Sequence, residues 1–159
     1  MTQPLITSFF SNPEAGVLFA RAAALDDISA AAAGEYYTVF IDASFLPHKA
    51  AIMEQMSAAL KFPEYFGKNW DALADCLSDL PDWLEPGAKG YMIIITSAGL
   101  LAAAETGGLT ALGAEVELFP PQTVREFKGS VRTLAEVLSE SSATLYDISG
   151  KTLKTVFLF

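Results

Sequence analysis

Hydrophobic and polar positions along the chain fall into blocks that alternate between a strand-like and a helix-like pattern. Gly16–Ala20 is a short apolar run after a Pro-Glu-Ala turn and predicts a strand. Leu25–Ala33, opened by Asp26-Asp27 and closed by Gly34, predicts an alanine-rich helix. Tyr36–Ile41 is aromatic and β-branched without alternation, which predicts a strand buried on both faces. A helix is expected over Lys49–Lys61, with Ile52, Met56 and Leu60 on one side. A second helix is expected from about Trp70 to Leu80, with Asn69 as N-cap, Gly67 freeing the backbone before it and Pro81 ending it. At roughly 100° per residue, Leu73, Cys76, Leu77 and Leu80 make one stripe of this helix, and Asp71, Asp75 and Asp79 make the opposite one.

Pro86-Gly87 marks a turn before Tyr91–Ile95, a second buried-type strand. Leu100–Glu105 has helical character until Gly107-Gly108, and the stretch from there to Pro120-Pro121 has no readable pattern. Val124–Ser139 predicts a helix with Phe127, Val131, Leu134, Val137 and Leu138 inward. Thr144–Ile148 and Thr152–Phe159 both favour strand, with Ser149-Gly150-Lys151 turning a hairpin between them. This order predicts a small α/β domain with a mostly parallel sheet packed with helices. The expected organisation is one domain over residues 1–159, with residues 1–35 forming an extra N-terminal strand and helix.

Charge changes the picture. The chain of 159 residues carries a net charge of −9. Between Glu64 and Glu85 it has Glu64, Asp71, Asp75, Asp79, Asp82 and Glu85 against Lys68 alone. This speaks against nucleic acid as a direct ligand, because phosphate contacts need clustered Lys and Arg. Such a field attracts a cationic partner, although an acidic stripe is also what a solvated helix face looks like. The greasy Tyr91–Ala104 stretch is shorter than the roughly 20 residues that span a bilayer, so no membrane association is expected. No basic residue precedes Arg21 and there is a single cysteine, which together give a cytoplasmic expectation.

Catalytic chemistry is sparse. His48, the only histidine, follows Pro47 at a helix entry, where a surface or capping role outweighs that of a general base. One His and one Cys do not make a zinc site, and Glu105–Leu109 lacks the spacing and the lysine of a phosphate-binding loop. Cys76 on the apolar stripe is expected to be a packed, inert thiol. Asp71 and Asp75, one turn apart, could chelate a divalent ion weakly, yet no second acidic cluster completes a catalytic site. No metal, cofactor or enzymatic activity is expected.

The run Phe62-Pro-Glu-Tyr-Phe-Gly-Lys-Asn-Trp-Asp-Ala-Leu-Ala-Asp-Cys-Leu77 resembles the signature of the barstar family, intracellular protein inhibitors of secreted ribonucleases such as barnase. The likeness continues in coarse form from the strand near Tyr37 to the C-terminus and is weakest over residues 98–125. It implies a barstar-like fold and a basic, barnase-like secreted ribonuclease or related toxin as partner, its active site blocked by acidic side chains that mimic RNA phosphates. By this resemblance Asp75 enters the cationic phosphate pocket and Asp71 lies one turn earlier. Tyr65 (a packing anchor), Gly67 (a point of close backbone approach), Asn69, Trp70, Ala74 and Ser78 belong to the same binding surface. Lys68 stands where the family commonly has an acid, and Ala74 where its best-known member has a tryptophan. Trp70 replaces a smaller aliphatic residue, and a further acidic contact is implied for Glu136 or Glu140. The alternative is an immunity or interaction protein that binds another cationic protein on the same scaffold.

Overall fold

The computed structural model describes residues 2–32, 34–46, 49–98, 118–119 and 129–158. Its strands are β1 (Val17–Ala20), β2 (Tyr36–Asp42), β3 (Gly90–Thr96), β4 (Leu118–Phe119) and β5 (Thr152–Leu158). They form one sheet in the order β2-β3-β5-β1-β4. The first four in that order are mutually parallel, while β4 runs antiparallel to β1 through Phe19↔Phe119 and Ala20↔Leu118. The helices are α1 (Thr2–Ser11), α2 (Leu25–Ala32), α3 (Lys49–Leu60), α4 (Trp70–Ser78) and α5 (Gly129–Ser149). The mostly parallel α/β fold is as expected from the block pattern.

Because strand side chains alternate, β3 splits its apolar residues between two cores. Tyr91, Ile93 and Ile95 join Leu153 and Phe157 of β5 in a core with α3, α4 and α5. Met92 and Ile94 join Val156 and Leu158 in a second core with α1 and α2, around Ile6, Phe9 and Ile28. Every residue from Gly90 to Ile95 and from Thr152 to Leu158 is buried, as the centre of a doubly covered parallel sheet requires.

Four expectations are corrected. β2 is an edge strand, and Phe40 is 59% exposed, so it is not buried on both faces. Thr144–Ile148 is helical: α5 continues to Ser149 because Leu134, Leu138, Ser141, Ser142 and Leu145 make one buried stripe at helical spacing. No hairpin follows. Gly150 takes φ +72 and its N–H donates to Tyr146 O at 2.8 Å, which ends α5 and turns the chain into a strand parallel to β3. Thr2–Ser11, read only as lacking a charged start, is a helix whose Ile6 and Phe9 cover the sheet. The readings for Leu100–Glu105, for residues 124–128 and for His48 lie outside the described residues.

Gly16 lies where β1 meets α5. A Cβ there would come within 2.6 Å of Ser142 Cβ, so the close approach of helix to strand depends on the missing side chain.

Lys154 on β5 is fully buried on the α1 side. Its ammonium donates to Phe9 O, Asn12 O and Ala15 O at 2.8, 2.7 and 2.5 Å and sits 4.8 Å from the Phe9 ring centroid. Three N–H donors meet three carbonyls, and the end of α1 is thereby tied to the middle of the sheet. Burial pulls the Lys154 pKa down to about 8.

Candidate functional site

The site is assembled from the loop between α3 and α4, from α4 itself and from the turn after it. The loop is held from beneath by aromatic residues. Phe62 meets Phe66 edge-on at 4.9 Å and Trp83 at 6.2 Å, and Trp83 Nε1 donates to Leu60 O at 3.0 Å. Phe66 N–H closes a turn on Pro63 O at 3.1 Å. Beyond α4, the Tyr91 hydroxyl donates to Leu84 O at 2.6 Å, which pins the return of the chain to the sheet.

Helix α4 starts where expected. Asn69 Oδ1 accepts from Ala72 N–H at 2.8 Å, a capping bond worth about 1 kcal/mol. Leu73, Cys76 and Leu77 are buried, and the helix packs closely against α5. Burial of two leucines in a shared core contributes several kcal/mol, on the order of 2–5 for each truncated to Ala. The Cys76 thiol is pushed up by burial first and then by Asp79 and Asp75, which keeps it protonated and inert as expected.

The outward face carries the expected acids. Asp71, Asp75 and Asp79 are exposed, while Ala74 and Ser78 between them are half-buried. Ser78 Oγ donates to Ala74 O at 3.0 Å, so this hydroxyl serves the helix. The Asp79 carboxyl is pushed up by partial burial, then by the charges of Asp82 and Asp75. Tyr65 is 73% exposed, and its phenol is pushed up by desolvation and by Cys76, Asp79 and Asp82 nearby. Phe66 is buried in the core beneath the loop, whereas the Tyr65 ring stands exposed on its surface. The grouping of Tyr65 with Asp79 and Asp82 follows from the turn after α4, and nothing in the linear spacing reveals it.

At the other end of α4, cations gather. Lys49, the first residue of α3, places its ammonium 5.8 Å from the centroid of the half-buried Trp70 ring. Lys68 Nζ lies 3.9 Å from Glu54 Oε1. Two residues of the loop are left-handed, Lys61 and Lys68, each at φ +55, whereas Gly67 does not have a positive φ. Gly67 was expected to supply backbone freedom, and its neighbour does so. A Cβ on Gly67 would meet Ala72 Cβ and Asn69 Nδ2 at 3.4 Å, an ordinary contact, so the packing within the chain leaves room for a side chain there.

Glu140 and Glu136 are exposed on α5, the helix that packs against α4. Among the described residues, no group of three or more His, Cys, Asp or Glu side chains could hold a metal ion. No described helix is long and apolar enough to cross a membrane.

The family model described as Barstar (barnase inhibitor) matches residues 36–117, which include β2, α3, the loop, α4 and β3. The chain belongs to the barstar family. No curated protein matches the chain. The match begins at the first residue of β2, so α1, β1 and α2 precede it, yet β1 pairs in parallel with β5 and extends the barstar-family sheet. The match also stops before α5 and β5, which complete both cores.

Proposed function

We propose that this barstar-family chain inhibits a basic, barnase-like ribonuclease by filling its active site with the loop and α4. Asp75 and Asp71 then stand in for RNA phosphates. The observation that carries the reading is exposed acid, with no ion-pair partner among the described residues, on a rigid support. Asp79 is pushed up by partial burial and then by the charges of Asp82 and Asp75 at the C-terminal end of α4, where the helix dipole also disfavours negative charge. A fold stabilised for its own sake would not collect carboxylates there. A cationic pocket would relieve that repulsion, and an Arg-rich pocket left unfilled keeps uncompensated charge of its own. Binding therefore gains on both sides.

The roles follow from position. Asp75 enters the phosphate pocket, Asp71 supports it one turn earlier, and Trp70 and Tyr65 pack against the rim. Gly67 allows close backbone approach, and Asn69 holds the helix start. Ala74 leaves space between the two acids. The inhibitor is not itself an enzyme and needs no cofactor. Its expected location is the cytoplasm, where it would protect the cell from a nuclease on its way out; fractionation checks this directly.

The test is titration of barnase, and of diverged ribonucleases of its type, with the purified chain. RNA cleavage by at least one of them is expected to fall linearly to zero near one equivalent. Full cleavage by all of them at excess chain overturns the reading. Protection against a different basic toxin would then favour the immunity-protein alternative.

A further inference from the structure

We infer that Lys68 selects the target, by meeting a carboxylate that borders the ribonuclease's cationic pocket. The inference rests on the inhibitor reading of α4 given above. Lys68 is the sole cation between Glu64 and Glu85. Its side chain is 65% exposed, and its ion pair with Glu54, itself 70% exposed, is long at 3.9 Å. A pair of that kind steadies an ammonium without neutralising it. The residue also sits at φ +55, a conformation that a side-chain-bearing residue adopts reluctantly, so the loop presents this particular side chain against local preference.

The surroundings give the surface a direction. Lys49 lies against Trp70 at the N-terminal end of α4, and Lys68 immediately precedes the cap. Asp75, Asp79 and Asp82 lie toward the C-terminal end. The two charge groups are separated by about the length of the helix, roughly 13 Å at 1.5 Å per residue. Each group has the sign that the helix dipole disfavours at its end. At a uniformly cationic target, Lys68 would offset part of the attraction of Asp71 beside it and of the acids toward the C-terminal end. A target with a carboxylate facing Lys68 at the border of its phosphate pocket would be attracted by both the lysine and the acids. Such paired attraction and repulsion is how interfaces separate close relatives.

The experiment compares Lys68→Glu, Lys68→Met and Asp75→Asn with the wild-type chain. The probe is whichever of barnase and its diverged relatives the wild type inhibits most strongly. Lys68→Glu is expected to raise Kd about tenfold or more and Lys68→Met about threefold, with both losses shrinking in high salt. Melting temperatures should barely move, because the Glu54 pair is exposed. Glu54→Gln, which removes the tether and keeps the ammonium, should change Kd less than Lys68→Met does. An Asp or Glu→Lys change on the rim of the probe should restore binding of Lys68→Glu. If Asp75→Asn loses affinity while Lys68→Glu matches or exceeds the wild type, the Lys68 assignment is overturned and the inhibitor reading stands. If neither variant loses affinity, or the wild type inhibits none of the probes, both fall.

Discussion

Two sets of charges in this molecule are treated in opposite ways. Lys154 is buried under α1, its three N–H donors taken by three carbonyls. Asp75, Asp79 and Asp82 are left on the surface, near one another and at the end of a helix that disfavours them. The first is a charge spent on the fold: it joins the N-terminal helix to the central sheet. The second is a charge left in solvent, where the proposed inhibition would use it. Net charge does not distinguish them; the partners around each group do.

Changing the buried charge should give the largest effect. Lys154→Met keeps the stem but removes the donor to Phe9 O, Asn12 O and Ala15 O, of which Phe9 O is buried and Asn12 O keeps the Ala15 N–H, so urea unfolding should show a loss of about 3 kcal/mol. Inhibition by the protein that remains folded should be unchanged, since Lys154 faces α1 on the far side of the sheet from α4. pH adds a signature. The folded pKa of Lys154 is about 8 against about 10.4 for an unfolded lysine, so between those values the unfolded chain binds the extra proton. The contribution of this group to stability should therefore rise from pH 8 toward 10.4, and Lys154→Met should lose that slope.

An intermediate effect comes from the support of the acidic helix. Asn69→Ala removes the capping bond to Ala72 and should lower stability by about 1 kcal/mol in thermal or urea unfolding. It should also weaken inhibition modestly, because Asp71 is presented by the first turn of α4. Asn69→Asp restores an oxygen acceptor and should recover the stability.

The smallest effect has the opposite sign. The Asp79 carboxyl is held above its ordinary value, so the folded chain binds that proton more tightly than the unfolded chain does. Its ionisation therefore works against folding at neutral pH, and the penalty is relieved as pH falls through the carboxylate range. Asp79→Asn should raise the melting temperature slightly at pH 7, and the difference should vanish near pH 3. A destabilised Asp79→Asn would mean that the acidic end of α4 is structural.

The same contrast explains which parts were legible in the sequence. Helix α4 could be read because its signals are local: Asn69 as cap, Leu73, Cys76 and Leu77 at helical spacing, Pro81 just beyond. β3 and β5 were legible because buried parallel strands are continuous apolar runs. Helix α1 was not, since its helix is specified by contacts with Lys154, more than 140 residues away in sequence. Thr144–Ile148 was misread because its β-branched and aromatic residues favour strand in isolation. In the fold, the burial of Leu145 in phase with Leu134 and Leu138 outweighs that propensity. At the candidate site, the loop and helix were legible as elements from their local residue types. The cationic flank of Lys49 and Lys68 and the approach of Tyr65 to Asp79 and Asp82 depend on how α3 and the turn after α4 fold back.

The central claim, that the acids of α4 are kept for a partner, is tested most directly by the inhibition constant of Asp75→Ala on the ribonuclease that the wild type blocks. Charge couplings within the barnase–barstar pair itself, roughly 1.5–7 kcal/mol for close pairs, set the scale. The account predicts a loss of several kcal/mol, a hundredfold or more in Kd, from a variant that melts at the wild-type temperature or slightly above it. An Asp75→Ala chain that inhibits as tightly as the wild type would contradict it.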